Sequence, residues 1–418
     1  MENTVGHRLT TDDSFAFNTL INVFEYLKFK DLLNCAQVCK TWLWVIKTDS
    51  LWKDISVYSC AEHVCTPVDM FGSNLRHLEI VDPYRLPPDR FSKLCSRLPM
   101  IKNIGLHTCD VYHLIILAQK ASEKLERISA EVCYGHADWE FFDVFQKLTH
   151  LDITITHQMT RNEHYLFKSK KLRHLKFFMM RREGIKDNVV YLEFLESLCI
   201  NMGLEYSFMH GLFQDRTIKH LKALTKLQIN NMITKYHIMK NLQLLPKLKE
   251  LILLQIMVPP PATIHSLMTQ LGELSNLTRL TISLNRIASV HSVISVASEN
   301  SGIFQGVITM QNKLKYFCWQ IDESEVIRSD LYFHSRDVVP LMSYCIKGVN
   351  PSAAPDPVPE VMDIRLSKLE EVLHQRMPNT EVVLVKSDDL YRAEKNRLSC
   401  YECGKKTSAM FGHYKWRS

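Results

Sequence analysis

The residues whose spacing could support chemistry lie near the end of this 418-residue chain. Cys400 and Cys403 have the Cys-x-x-Cys spacing that supplies two ligands of a zinc site, and His413 could add a third. A structural zinc site has four ligands, and no fourth is evident nearby. A redox role needs a surrounding βαβ pattern, which the sequence lacks. We therefore expect no bound metal and no cofactor, with these three residues as the alternative.

Sequence signatures of enzymes are absent from the rest of the chain. There is no Gly-x-x-x-x-Gly-Lys-Ser/Thr loop and no Gly-x-Ser-x-Gly elbow. The 18 histidines follow a repeat more closely than any metal-ligand spacing. The sequence thus predicts a protein that binds other molecules without catalysing a reaction.

A six-residue pattern, Leu-x-x-Leu-x-Ile, recurs through most of the chain. Clear copies begin at residues 75, 148, 172, 195, 224, 248 and 277, and weaker copies begin at 101, 125 and 314. Alternating apolar residues fit a short strand with one buried face, and spacing in the twenties is typical of leucine-rich repeats. The pattern predicts an α/β leucine-rich-repeat solenoid with parallel strands on the concave face and helices outside.

Side chains at the third and fifth places of the pattern point to the face of the strand opposite the buried fourth and sixth places. They could bind a protein substrate, or they could be polar only because an exposed face must be soluble. A mixed patch around His150, His174 and Lys176, with Arg173 nearby, would suit an acidic substrate. The predicted substrate-binding residues are His77, Arg127, His150, Asp152, Arg173, His174, Lys176, Phe178, Lys226 and Arg279.

Residues 14–56 have a different pattern, which predicts three short helices around a small apolar core. Asp31 is the expected N-cap of the second helix. Four segments follow one another in this region: 23–27 (Val-Phe-Glu-Tyr-Leu), 30–33 (Lys-Asp-Leu-Leu), 38–42 (Val-Cys-Lys-Thr-Trp) and 51–53 (Leu-Trp-Lys). In order and spacing they resemble the F-box. One departure is Phe15-Ala16, where the family usually has Leu-Pro.

The resemblance implies a substrate receptor of a cullin-RING ubiquitin ligase. The F-box would dock the adaptor subunit and through it the cullin, and the repeats would bind an unknown protein substrate. The residues that the resemblance places toward the adaptor are Leu20, Phe24, Leu27, Leu32, Leu33, Val38 and Trp42. The alternative for each is that it only holds the three helices together. For the whole chain, the alternative is an interaction scaffold whose degenerate F-box recruits no ligase.

The sequence divides into six regions. They are a disordered N-terminus at 1–13, the F-box at 14–56, the repeat array at 69–320, a proline-rich insertion at 321–359, a helix-strand unit at 360–386 and a basic tail at 387–418. The tail is either a solvated end or a site for an acidic partner.

Composition limits the partners and the compartment. The formal net charge of +6 is mild for this length, so no nucleic acid is expected as a partner. No apolar run reaches 18 residues and the first residues do not form a secretory signal, so we expect no membrane association. The twelve scattered cysteines predict reduced, structural thiols, and hence a cytoplasmic or nuclear protein.

Overall fold

A computed structural model describes residues 11–53, 55–135, 137–155, 160–161, 165–166, 168–179, 192–202, 218–230, 240–258, 264–284, 293–321, 330–334 and 361–386. The described chain forms two compact units, which are treated separately below. The first unit covers the described residues up to Arg161, and the second covers those from Asn162 onward.

Helices occupy the start of the first unit and the segments between strands in both units. The α-helices are α1 (Thr11–Phe24), α2 (Phe29–Ala36), α3 (Lys40–Ile46), α4 (Cys65–Phe71), α5 (Pro88–Ser96), α6 (Val111–Ala121), α7 (Ile264–Gly272), α8 (Val293–Thr309) and α9 (Leu366–Arg376). Short 3-10 helices span Asp49–Lys53, Pro83–Arg85, Trp139–Val144 and Leu242–Leu244.

Strands follow one another at the repeat spacing. The strands of the first unit are β1 (Ser56–Cys60), β2 (His77–Val81), β3 (Asn103–Asp110), β4 (Arg127–Tyr134), β5 (Ala137–Asp138), β6 (His150–Ile155) and β7 (Thr160–Arg161). Those of the second unit are β8 (His174–Met179), β9 (Ser197–Met202), β10 (Lys226–Asn230), β11 (Glu250–Ile256), β12 (Arg279–Leu284), β13 (Tyr316–Ile321), β14 (Asp330–His334), β15 (Val361–Arg365) and β16 (Glu381–Lys386).

The strands form parallel ladders in chain order. In the first unit the order is β1-β2-β3-β4-β6, and in the second it is β8-β9-β10-β11-β12-β13-β16. The register aligns the third place of one repeat with the third place of the next, as in Lys226 with Glu250 and Glu250 with Arg279. The sequence prediction of a parallel leucine-rich-repeat array is thereby confirmed.

One hydrogen-bond pattern joins successive repeats. The carbonyl of Arg76, at the second place, accepts from the amides of Lys102 and Asn103 of the next repeat, both at 2.9 Å. The same pairing recurs from Lys102 to residues 126–127, from Glu126 to 149–150, and in the second unit from Lys249 to 278–279. In these repeats, two backbone amides at the start of the strand therefore donate to one carbonyl of the preceding repeat.

The first, fourth and sixth places of the repeat form the core. In the repeat at 148, Leu148, Leu151 and Ile153 are each at most 2% exposed. Fully burying such a side chain is worth about 1.5–3 kcal/mol relative to leaving it exposed, and no single repeat can bury its face alone. The stacking of repeats is thus the main source of stability.

Helix α6, between β3 and β4, begins at a side-chain cap. Asp110 accepts from the amide of Tyr112 at 3.0 Å, and the amide of Asp110 donates to Nδ1 of His113 at 3.3 Å, which closes a capping box at the start of α6. The capped helix spans Val111–Ala121. The apolar side of α6, including Leu114 and Leu117, is buried against the repeat core.

Several predicted boundaries differ from the structure. Helix α1 begins at Thr11, three residues before the predicted start of the helical region at 14. Asp31 lies in the first turn of α2, whose N-cap is Lys28. The repeat array begins with β1, because Ser56–Cys60 pairs in parallel with His77–Val81 although it lacks the leucine pattern. The predicted start at residue 69 was therefore too late.

The end of the array also differs from the prediction. The predicted helix-strand unit at 360–386 begins with an additional strand: Val361–Arg365 is a strand, and the helix is Leu366–Arg376. This strand pairs antiparallel with β14, within the segment predicted as an irregular insertion. The pairing partner lies 27 residues or more away in sequence, so local periodicity could not indicate it. The predicted last strand is present as β16, parallel to β13.

In the parts of the chain that the structure describes, no helix has the length and apolar content needed to cross a membrane.

Candidate recognition surfaces

The three N-terminal helices have a well-packed interior. Phe24 and Leu32 are at most 1% exposed, and Phe24 contacts Trp42 edge-on with ring centroids 5.4 Å apart. Cys39 caps α3 by accepting from the amide of Trp42 at 3.5 Å. Phe24 and Leu32 were predicted to face the adaptor; in this structure both are buried and pack the helices together, which is the alternative role considered for them.

An aromatic cluster attaches the helices to the first repeat. The rings of Trp52 and Phe71 lie 5.1 Å apart, and Phe29 contacts both at 6.2 and 6.3 Å. The indole of Trp52 donates to the carbonyl of Ile46 at 2.7 Å. Because Phe71 belongs to α4, the helical region shares its core with the repeat array and does not have to be stable alone.

Four large apolar side chains of the helical region are exposed, two of them on α1 and α3 and two in the turns after α1 and α2. They are Val23, Tyr26, Val38 and Trp44, which are 51%, 89%, 62% and 52% exposed. We call this set the helical apolar surface. Large apolar residues that stay exposed on a folded domain can anchor a protein partner, and aromatic residues are common anchors of such sites.

The predicted adaptor residues divide by exposure. Val38 belongs to the helical apolar surface. Leu20, Leu27, Leu33 and Trp42 are half-buried. The sequence reasoning missed Val23, Tyr26 and Trp44 as surface residues. Helical spacing could have found them, because Val23 and Tyr26 lie on either side of the buried Phe24 and the half-buried Leu27.

A second surface is formed by the strands of the first unit. Its third and fifth places include His77, Asn103, Arg127, His150 and Asp152, of which Arg127 is exposed and the others are half-buried. Gly105 lies at a fifth place, and a Cβ there would be 2.8 Å from Cγ of Glu79. We call these residues the first-unit strand face. Only Arg127 is exposed on this face, and Gly105 is buried.

Polar contacts run across this face between neighbouring strands. Nδ2 of Asn103 lies 2.5 Å from Nδ1 of His77, and Nε2 of His107 lies 3.3 Å from Oε2 of Glu79. Burial raises the pKa of the half-buried Glu131, and the nearby His107 opposes that shift. The face therefore combines imidazole, amide and carboxylate groups held by their neighbours.

In the second unit, the basic residues predicted to bind substrate contact the next repeat. Arg173 forms an ion pair with Glu196, and Nζ of Lys226 lies 2.9 Å from Oε1 of Glu250. The guanidinium of Arg279 lies 4.2 Å from the ring centroid of Tyr316. Such pairs between exposed groups contribute little stability, but they fix where each side chain points.

Other predicted face positions of the second unit are covered. Phe178, predicted to bind substrate, is 4% exposed and so is not accessible in this structure. Its neighbour Phe177 is also buried, which means that both sides of β8 are covered at this point. Ser197, Cys199 and Gln228, at third and fifth places, are buried as well. The predicted patch is divided between units, with His150 in the first and His174 and Lys176, both half-buried, in the second.

The described cysteines are free thiols, several of them inside the repeats. Burial raises the pKa of Cys95 to about 12 and also raises that of Cys109 and Cys318. A thiol whose pKa is raised by burial forms little thiolate and reacts slowly. These three are therefore structural. Cys400, Cys403 and His413 lie outside the described residues.

Comparisons with known proteins identify the helical region and give distant matches to the whole fold. Residues 18–58 match a family model described as F-box-like. A structure of the Rad7–Elc1 complex in yeast matches at 13% identity, covering 77% of this chain and 93% of that one, with a TM-score of 0.38. A leucine-rich-repeat protein of Leptospira interrogans matches at 13% identity over 82% and 86% of the two chains, with a TM-score of 0.31. The ectodomain of the Arabidopsis receptor kinase HAESA matches at 14% identity over 53% and 37%, with a TM-score of 0.25.

Proposed function

We propose that this F-box/leucine-rich-repeat protein is the substrate-recognition subunit of an SCF-type cullin-RING E3 ubiquitin ligase. The F-box would bind the adaptor subunit and, through it, the cullin. The repeats would bind the protein substrate. In this role the chain contributes no catalytic residue and accelerates ubiquitin transfer only by holding the substrate close to the catalytic subunits.

The single observation that carries this proposal is the helical apolar surface on an F-box-like segment. Val23, Tyr26, Val38 and Trp44 remain exposed although the same helices bury Phe24 completely. These four large apolar side chains fall within residues 23–44 of the F-box-like segment and are available to a partner. A partner that covers them accounts for the arrangement.

The Phe15-Ala16 departure from the family pattern is compatible with this role. Helix α1 already runs from Thr11 to Phe24, so residues 15 and 16 lie inside the helix. A proline at residue 16 would remove a backbone donor and disturb the helix there. The family proline starts a helix, whereas this chain starts its helix earlier. We propose that adaptor contact relies on residues farther along the helices.

We propose that substrates bind the first-unit strand face. This face presents an exposed guanidinium at Arg127 beside the half-buried His150 and Asp152. A mixture of basic, acidic and imidazole groups would select a substrate by complementary hydrogen bonds and charge more than by apolar area. The reduced thiols described above are compatible with a cytoplasmic or nuclear location, which we propose as well.

The test measures adaptor binding by the full-length chain. Purified protein is titrated with the recombinant adaptor by isothermal calorimetry. The double variant Val38→Asp/Trp44→Ser should weaken binding at least about tenfold, since loss of a single interface anchor can cost about 2 kcal/mol. The control is Leu244→Asp, which alters a residue 42% exposed in the second unit and should leave adaptor affinity unchanged.

Two results would contradict the proposal. One is a wild-type chain that binds no adaptor. The other is a double variant that binds as tightly as wild type while its circular dichroism shows an intact fold. The competing scaffold function predicts that the chain, purified from cells, brings down a repeat-binding partner but no cullin. The observation that motivates the scaffold function is Phe15-Ala16, which stands where the F-box usually has Leu-Pro.

A further inference from the structure

Three different metal-ligand side chains meet in the turn after the first strand of the array. Cys60 ends β1, and Glu62 and His63 follow it within one turn. A thiol sulfur, a carboxylate oxygen and an imidazole nitrogen from these residues all lie within 4.8 Å of one another. No other such group of three occurs among the residues that the structure describes.

Backbone hydrogen bonds hold this turn in place. The amides of His63 and Val64 both donate to the carbonyl of Cys60 at 3.0 Å, so the turn closes on the residue that carries the thiol. The amide of Ala61 donates to the carbonyl of Val81 at 3.0 Å, which fixes the turn to the end of β2. The three ligand side chains are thus carried by a backbone that is already ordered.

The distances suit a tetrahedral ion. With a metal–sulfur bond of about 2.3 Å and a metal–oxygen bond of about 2.0 Å, the sulfur and oxygen of a tetrahedral site lie about 3.5 Å apart. Sγ of Cys60, which donates a hydrogen bond to Oε2 of Glu62, lies 3.6 Å from that oxygen, so the ion would replace the bridging proton with little change in this one distance. Thiolate, imidazole and carboxylate are all ordinary zinc ligands, and three protein ligands with an open fourth position form a recognised type of zinc site. We propose that Cys60, Glu62 and His63 bind a single Zn²⁺ ion whose fourth ligand is water.

Proton balance and local charge are consistent with this site. Binding would replace the thiol proton of Cys60, which is released to solvent, by a sulfur–zinc bond; no electron transfer is involved. Oε1 of Glu62 accepts from the guanidinium of Arg85 at 2.8 Å, which orients the carboxylate as outer partners of metal ligands do. The positive charge of Arg85 opposes a cation, but the side chains of this pair are 45% and 44% exposed, so the high dielectric constant of the surrounding water weakens that repulsion.

The ion would strengthen the start of the repeat array. Strand β1 has a single strand neighbour, β2, among the described residues, and it lacks the leucine pattern of the other repeats. An ion bound at its last residue would hold that strand end and the following turn together. This role is independent of adaptor binding, and either proposal can fail without the other.

The test uses cobalt as a spectroscopic substitute for zinc in the full-length chain. Cys400→Ser and Cys403→Ser are included in the background, because the tail pair could bind metal on its own. The protein, stripped of metal, is titrated with Co²⁺ and then with Zn²⁺. We expect one equivalent of Co²⁺ with tetrahedral visible bands and a near-ultraviolet thiolate charge-transfer band, both displaced by Zn²⁺.

Two variants and a matched control identify the ligands. Cys60→Ser should remove the thiolate band, and His63→Gln should weaken Zn²⁺ binding by more than the roughly 10–100-fold that loss of an outer-shell partner costs. Cys65→Ser alters an exposed cysteine five positions away and should change neither. Circular dichroism and Tm of the metal-free variants confirm that they fold. Absence of a thiolate band, or equal Zn²⁺ affinity in the folded His63→Gln variant, would overturn the site.

Discussion

Two glycines of α8 allow it to pack closely against α7, and replacing them offers a sharp test of the second unit. Gly302 and Gly306 are four residues apart and face α7. A Cβ at residue 306 would lie 2.8 Å from Cγ of Met268 and closer still to its Cβ. A Cβ at residue 302 would meet Cγ2 of Ile264, and the amide nitrogen of His265 would be 3.3 Å away.

Two opposing effects decide the outcome of Gly302→Ala and Gly306→Ala. Alanine favours a helix interior over glycine by about 1 kcal/mol. Carbon atoms are in favourable contact at about 3.5–4.0 Å, so the contact with Met268 would be about 0.7 Å too short (3.5 − 2.8). Both Ile264 and Met268 are buried, and a Cβ cannot rotate away, so the helices must separate. Overpacking of this kind costs about 1–3 kcal/mol, and we expect net destabilisation by each substitution.

Urea unfolding of the full-length chain, followed by circular dichroism and by hydrogen exchange of the α7 and α8 amides, measures this effect. The control is Gly272→Ala at the end of α7, where an added Cβ meets nothing within 4 Å. This control should be neutral or slightly stabilising. The double variant of Gly302 and Gly306 should cost less than the sum of the two, because the first alanine already separates the helices. If Gly302→Ala and Gly306→Ala are as stable as Gly272→Ala, the close packing of α7 and α8 is wrong.

Two further predictions concern the first unit. Phe24→Ala should lower the stability of the N-terminal helices by about 3–5 kcal/mol, because Phe24 is buried against Trp42. Hydrogen exchange of the α1–α3 amides measures this loss, and unchanged protection of those amides would contradict it. Glu131→Gln should raise Tm at neutral pH, because burial raises the pKa of this carboxyl and so disfavours its charged form in the folded protein. The rise in Tm over wild type should disappear as the pH falls below the ordinary pKa of glutamate, because Glu131 is then protonated in both the folded and the unfolded wild-type chain. A rise in Tm that does not change with pH would refute this.

The repeat pattern made the array predictable because its evidence is local and recurrent. Each copy places apolar residues at the same positions, and the strand register follows from them, as the pairing of Lys226 with Glu250 illustrates. The strand Ser56–Cys60 escaped prediction because it has Val57 and Ser59 where leucine and isoleucine were expected. It is held by pairing with β2, which is information that a single segment does not contain.

The candidate sites were less predictable than the fold. Exposure depends on what covers a residue, and a pattern reports only which side of a strand or helix the residue occupies. Phe178 and Cys199 occupy positions that the alternation assigns to the open face, yet both are buried. On the helices, the family resemblance identified the segment, but it could not separate the buried Phe24 from the exposed Val23 beside it. That distinction required the packing of three helices against each other.

The hydrogen bonds at the starts of successive strands point the same way along the chain, from the amides of one repeat to a carbonyl of the repeat before it. Within each unit, the described repeats donate to an acceptor at the second place of the repeat before them. During synthesis the N-terminal repeats emerge from the ribosome first. The carbonyl acceptors of one repeat are therefore present before the next repeat is made. The connecting segments take no part in this step, so their length is free to vary. From Tyr316 to Glu381 the chain makes a detour of 65 residues (381 − 316) and still returns to the same register. New sequence could be inserted at such a point during evolution without disturbing the repeats already stacked.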